Sequence, residues 1–187
     1  MKNAFYFILM IVFCGCLSSA PTASKKWYVT GIKGEMSEIF ALRKPSVKIS
    51  RVSVRPPYDG TSLAVLRTDG SIAFDPCNAF ASAPERLLSG AVFDALESSG
   101  FADVVLDSKS SIPSPLKLEV TVTRLALDCR MKGRRDASVG VILRLCESGK
   151  VLSVSRGEST APTGEADYTK SFSTAFTRAM SEALKRL

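Results

Sequence analysis

The chain begins with one apolar stretch, settles into short alternating runs, and changes twice to helical spacing. Residues 4–13 are almost wholly apolar after the single basic Lys2. At about 1.5 Å per residue, that run covers only about half of a roughly 30 Å hydrocarbon core. It predicts the hydrophobic region of an export signal rather than a spanning helix. Residues 17–26 are rich in Ser, Thr, Ala, Pro and Lys, a composition suited to a flexible tether. Trp27-Tyr28-Val29 then opens ordered structure, and residues 31–46 show no clear period up to the break at Pro45.

From there the apolar positions define elements. Residues 47–55 predict a strand rich in Val and Ile, stopped by Pro56-Pro57 because proline donates nothing to a ladder. Residues 63–67 and 71–74 predict a hairpin about Asp69-Gly70, a type I′ turn signal. The spacing of Leu87, Leu88, Ala91, Val92, Ala95 and Leu96 predicts a helix over 83–99. Ser82 is its expected N-cap, Glu85 completes a capping box, Pro84 suits the first turn and Gly100 the stop. Residues 101–106 read as a short strand. Leu116, Leu118, Val120 and Val122 alternate with polar residues until Arg124, after which Leu125 and Leu127 take over the apolar phase, the signature of a bulge. Ala137, Val139, Val141, Leu143 and Leu145 line a return strand, and Glu147-Ser148-Gly149-Lys150 turns into a strand over 151–155, followed by a loop over 161–164. A closing helix over 167–187 carries Phe172, Ala175, Phe176, Ala179, Met180, Ala183, Leu184 and Leu187 on one face. These elements predict an α+β fold: a mainly antiparallel sheet with two amphipathic helices packed on one face.

Composition adds mainly exclusions. The chain has 187 residues, enough for a single core once a signal is removed. Its net charge is +7, of which Lys2 would leave with the signal. Positive charge is compatible with nucleic acid, an anionic membrane or an acidic protein face. The only tight basic group is Lys132-Gly133-Arg134-Arg135, which reads as a solvated hairpin tip, or alternatively as a headgroup or partner contact. No nucleic-acid partner is therefore expected. The absence of histidine removes the commonest general base and metal ligand. There is no phosphate-cradling glycine loop, no nucleophile elbow and no zinc spacing. Neither an enzyme nor a cofactor nor a metal is expected. Beyond the signal lie Cys77, Cys129 and Cys146, an odd number that leaves at least one unpaired in an oxidising compartment. The hairpin register keeps Cys129 far from Cys146, and both read as small buried apolar residues.

Phe13-Cys14-Gly15-Cys16 resembles a bacterial lipobox, with Phe13 where leucine is usual. The resemblance implies cleavage before Cys16 and lipidation of its thiol; the alternative is an ordinary signal cut near Ser19-Ala20, with both cysteines discarded. Each buried CH₂ contributes about 0.8 kcal/mol, so two or more acyl chains hold a protein to a bilayer without any spanning segment. Leu17, rather than Asp, follows the cysteine and favours an outer-membrane site facing the periplasm. The expected organisation is a signal over 1–15, a lipidated Cys16 and tether over 16–26, and one domain over 27–187.

The layout of that domain resembles the ABC-type transport auxiliary lipoprotein family, which includes PqiC- and YmbA-like lipoproteins. The resemblance rests on Trp27-Tyr28-Val29, on the strand from Ile49 to Tyr58 that ends in Pro56-Pro57, on Leu66-Arg67 before a hairpin, and on Asn78 to Pro84 leading into the first helix. The family usually has Trp where Phe80 stands. It implies an envelope-side docking subunit, compatible with a homo-oligomer, that works with an MCE-domain protein and an ABC permease and ATPase moving lipids or other hydrophobic molecules. It also implies Tyr58, Arg67 and Phe80 as partner contacts. The plainer readings are Phe80 as a core aromatic, Arg67 as a solvated strand charge and Pro56-Pro57 as a strand stop. Two other roles share the pattern: an outer-membrane assembly lipoprotein, and a periplasmic protein that carries lipid in its own cavity.

Overall fold

Alternating residues become an eight-stranded sheet with two helices against it. The computed structural model describes residues 26–29, 31–41, 43–164 and 168–187, with the side chains of Lys26, Trp27 and Tyr28 left aside. Cys16, the signal, the tether and Asp167 lie outside the described residues. In chain order the elements are β1 (Lys26–Val29), β2 (Lys44–Val54), β3 (Ser62–Leu66), β4 (Ile72–Phe80), α1 (Pro84–Ser99), β5 (Ala102–Leu106), β6 (Leu116–Asp128), β7 (Asp136–Glu147), β8 (Lys150–Pro162) and α2 (Tyr168–Lys185).

The α+β class is as the sequence predicts, but the sheet is mixed. The long β6–β7–β8 meander and the β3–β4 hairpin are antiparallel. Strand β6 gives its other edge first to β2 and then to β3, both parallel to it. Strand β5 lies parallel to β2, and β1 parallel to β4. Local alternation reveals strands joined by a tight turn. It carries no signal for partners joined through a helix or a long loop, and such crossovers are what produce parallel pairs.

Both helices cover one face, as their stripes predict. Val47, Ile49, Val52 and Val54 of β2, Leu118, Val120, Val122, Leu125 and Leu127 of β6, and Val139, Val141 and Leu143 of β7 form one core with the apolar faces of α1 and α2. The expected bulge is present: the β6–β7 register shifts between Val122 and Arg124, which keeps Leu125 and Leu127 on the helix side. The β8 positions beneath α2 are small, with Ser155, Gly157 and Ala161 buried. A Cβ on Gly157 would fall 1.9 Å from the Ala179 carbonyl oxygen, so this glycine sets how closely α2 lies on the sheet.

Several local expectations change. Helix α1 is capped at Ala83, one residue later than expected, with no side-chain hydrogen bond. That shift moves Glu85 out of the capping-box position opposite Ser82. Gly100 terminates the helix at φ +71. At the β3–β4 turn only Gly70 has positive φ, and its N–H donates to the Arg67 carbonyl (3.0 Å). The turn is therefore a three-residue loop with a glycine bulge rather than type I′. The type I′ signature appears instead at Ser148-Gly149, with φ values of 49° and 81°. Strand β4 runs on to Phe80, past a bulge in which Asp75 accepts the N–H groups of Cys77 (2.8 Å) and Asn78 (2.9 Å). Strand β8 likewise reaches Pro162.

The aperiodic residues 31–41 form a strap across both helices. The N–H of Lys33 donates to Ser173 Oγ on α2 (3.0 Å), that of Met36 to Ser98 Oγ on α1 (3.0 Å), and that of Ile39 to the Ser99 carbonyl (2.8 Å). Gly34 lies so close to α1 that a Cβ would fall 1.7 Å from the Ala91 carbonyl oxygen.

Candidate functional site

Among the described residues, no helix or strand is laid over the sheet face opposite the helices. Its residues line up in rows fixed by the registers. Phe74, Ala64, Ala126, Ser138 and Thr160 form one row, and Ile72, Leu66, Asp128, Asp136 and Pro162 the next. Ala64, Leu66 and Ala126 make a small apolar cluster separate from the main core. Ile72 and Phe74 extend it into solvent, 41% and 52% exposed. Sequence reasoning missed these two. Their shared parity in one strand was the available signal, but it looks the same whether that side faces a core or solvent.

Tyr58 completes the patch. The chain turns after Pro56-Pro57, with the Tyr58 N–H donating to the Arg55 carbonyl (2.9 Å), and the half-buried ring packs against the Ala64–Leu66–Ala126 cluster. It fills the seam where β6 changes neighbour from β2 to β3. Arg67 stands exposed just beyond, its N–H donating to the Ser71 carbonyl (2.9 Å). Phe80 does not belong with them. It is 1% exposed and meets Phe172 of α2 edge-on, with centroids 5.7 Å apart. The aromatic between Asn78 and Pro84 is thus a core residue, because the register shift between Phe74 and Ala79 turns Phe80 to the helix side of β4.

Two ion pairs bridge strands on the uncovered face. Arg144 meets Glu119 (3.0 Å) and Arg124 meets Glu158 (3.3 Å). Asp128 and Asp136 are direct cross-strand neighbours, an unfavourable juxtaposition for two carboxylates. Each is answered by an arginine of the β6–β7 loop: Arg130 reaches Asp128 at 2.6 Å and Arg134 reaches Asp136 at 2.8 Å. The hydrogen bonds from Arg130 hold the Asp128 carboxyl below its usual range, against the opposing effect of burial. A carboxylate whose pKa is lowered by folding adds stability above its unfolded pKa, about 4, and loses that increment as pH falls through the folded value. Urea midpoints measured between pH 7 and pH 3 should therefore fall less steeply for Asp128→Asn than for the parent. Parallel curves would exclude this contribution.

The three cysteines are free. Cys146 lies opposite Lys117, far from Cys129, in keeping with the expected absence of a bridge. Cys77 is exposed, the other two are half-buried, and burial pushes the Cys129 thiol up. Among the described residues no cluster of three or more His, Cys, Asp or Glu could hold a metal. No described helix is long and apolar enough to cross a membrane.

Fold and face together define an α+β domain with one face sealed by helices and the other open. Two solved structures share that fold. A Xanthomonas campestris protein of family DUF330 superposes with a TM-score of 0.66 at 19% identity, over 86% of this chain and 91% of its own. A second, described only as an uncharacterized protein, gives 0.57 at 13% identity, over 87% and 95%. No family model and no curated protein matches the sequence.

Proposed function

We propose that this chain is a lipid-anchored, periplasm-facing subunit of an ABC/MCE-type transport system that moves lipids or other hydrophobic molecules across the envelope. It docks the MCE-domain protein or the permease and catalyses nothing. The observation that carries this reading is the pairing of a lipobox-like Cys16 and tether with a domain whose uncovered face holds Tyr58 on a small apolar cluster that Ile72 and Phe74 extend into solvent. The fold likeness to a DUF330 protein supports it, since DUF330 is the PqiC/YmbA-like family. The outer membrane is the proposed site of the anchor, on the strength of Leu17. A homo-oligomer is compatible with strand β8, which among the described residues pairs only with β7. Helix α2 guards one stretch of that free edge: Glu182 accepts the Glu158 N–H (3.0 Å) and Arg186 donates to the Arg156 carbonyl (3.5 Å). The neighbouring Val151, Leu152 and Val154 remain exposed.

The test is affinity purification of the full-length lipoprotein in mild detergent from its own host, with mass spectrometry of what accompanies it. An MCE-domain protein and an ABC permease are expected, and Arg67→Glu should lose them while the protein stays folded. Recovery of outer-membrane assembly proteins without any MCE partner would replace this reading with the assembly role. Lipid bound to the protein alone would favour the carrier.

A further inference from the structure

The end of the sheet that carries the β3–β4 turn and the β6–β7 loop has a chemistry of its own. Strand β1 runs parallel to β4, with Lys26 level with Asn78 and Val29 with Phe80, so the N-terminal end of β1 points toward the β3–β4 turn. That turn and the β6–β7 loop leave the sheet side by side, joined by the Cys129 N–H donating to the Leu66 carbonyl (2.9 Å). The loop reads Cys-Arg-Met-Lys-Gly-Arg-Arg over 129–135, and Met131 within it is 64% exposed. Ile72, across β3 from Asp128, and Phe74, one row further in, are exposed on the uncovered face. Exposed apolar side chains thus share one end of the molecule with Arg130, Lys132, Arg134 and Arg135.

Among the described residues, the acidic groups flanking the two turns are engaged. Asp128 is held by Arg130 and Asp136 by Arg134. Asp69 accepts from the Ser71 N–H (2.9 Å) and hydroxyl (2.7 Å), and Asp75 from the bulge amides. Lys132 and Arg135 are exposed and make no ion pair among the described residues. Lys25 and Lys26 stand in the sequence at the start of β1.

We propose that this end is a second, non-covalent contact with an anionic phospholipid surface. Met131 and Phe74 enter the headgroup layer, and Lys132 and Arg135 meet the phosphates. Apolar side chains ringed by basic ones are the composition that binds such a surface. The surface is two protruding turns rather than a groove, which suits a bilayer better than a folded partner. The proposal rests on the Cys16 anchor for which end faces the bilayer. With residues 16–25 as the tether, the span is at most about 35 Å, so the anchor holds this end at high effective concentration against the lipid. Contact there turns the opposite end, with the β7–β8 turn and Val151 to Val154, toward the periplasm.

The experiment is hydrogen–deuterium exchange of the full acylated protein in phosphatidylcholine vesicles, with and without phosphatidylglycerol. Amides over 67–74 and 129–135 should exchange more slowly on the anionic vesicles only. The combined Met131→Ser, Lys132→Glu and Arg135→Glu variant should lose that protection while core amides of β6 and β7 keep their rates, which shows the fold intact. Equal exchange on both vesicle types, or protection at 148–154 instead, would overturn the proposal. The mass of the Cys16 peptide separates this from the anchor: an unacylated Cys16 with a protected loop removes the anchor alone, and an acylated Cys16 with an unprotected loop removes this contact alone.

Discussion

Gly34→Val is expected to destabilise the protein by about 3 kcal/mol or more, lowering its melting temperature by roughly 6–12 °C for a domain of this size. A Cβ at position 34 would meet the Ala91 carbonyl oxygen at 1.7 Å, the Ala91 carbonyl carbon at 2.6 Å and the Ala95 nitrogen at 3.0 Å. All three belong to the α1 backbone, so no side chain can swing aside. The strap has to lift instead. Lifting it breaks the hydrogen bonds from Lys33, Met36 and Ile39 that tie it to the two helices, and uncovers Ile32, which is 5% exposed. Gly31→Ala is the control, since nothing lies within 4 Å of a Cβ there. Thermal melts of the two variants decide it: a Gly34→Val protein that melts with the parent would show that the strap does not lie where it is described.

Phe80→Ala should cost about 3–5 kcal/mol, the usual range for removing a buried phenyl ring. Phe80 and Phe172 are among the largest fully buried side chains, and their edge-on contact joins β4 to α2. The missing ring leaves a cavity that the sheet and helix cannot both close. Arg67→Ala should change stability by no more than about 0.5 kcal/mol, as expected for an exposed site. Urea denaturation separates the two positions, and co-purification of the proposed partner then adds the second axis. Phe80→Ala should keep its partner at temperatures where it remains folded, whereas Arg67→Glu should lose it while fully folded. A Phe80→Ala variant as stable as the parent would contradict its place in the core.

Much of the fold could be read residue by residue. The phase change from Val122 to Leu125 located a bulge, because side chains alternate with period two and an added residue is the only way to keep the apolar set on one face. The stripes on α1 and α2 pointed to one common face for the same reason of periodicity. Gly100 was legible as a helix stop because few other residues take φ near +71 cheaply. The candidate surface was half legible: Tyr58 packs on the apolar cluster of the uncovered face and Arg67 is exposed in the turn after Leu66, while Ile72 and Phe74 went unnoticed.

What sequence alone determined, then, are the properties that depend on near neighbours along the chain: element type, period, turn residues, the lipobox-like run before Cys16 and the lack of histidine chemistry. Only the tertiary structure decided which strands lie parallel, that Phe80 points inward, that residues 31–41 strap two helices together, and that the Met131 loop and the β3–β4 turn share one end of the sheet. These are all contacts between residues far apart in sequence. They follow from how close backbones approach and which face each strand presents, and neither quantity has a local signature in the chain.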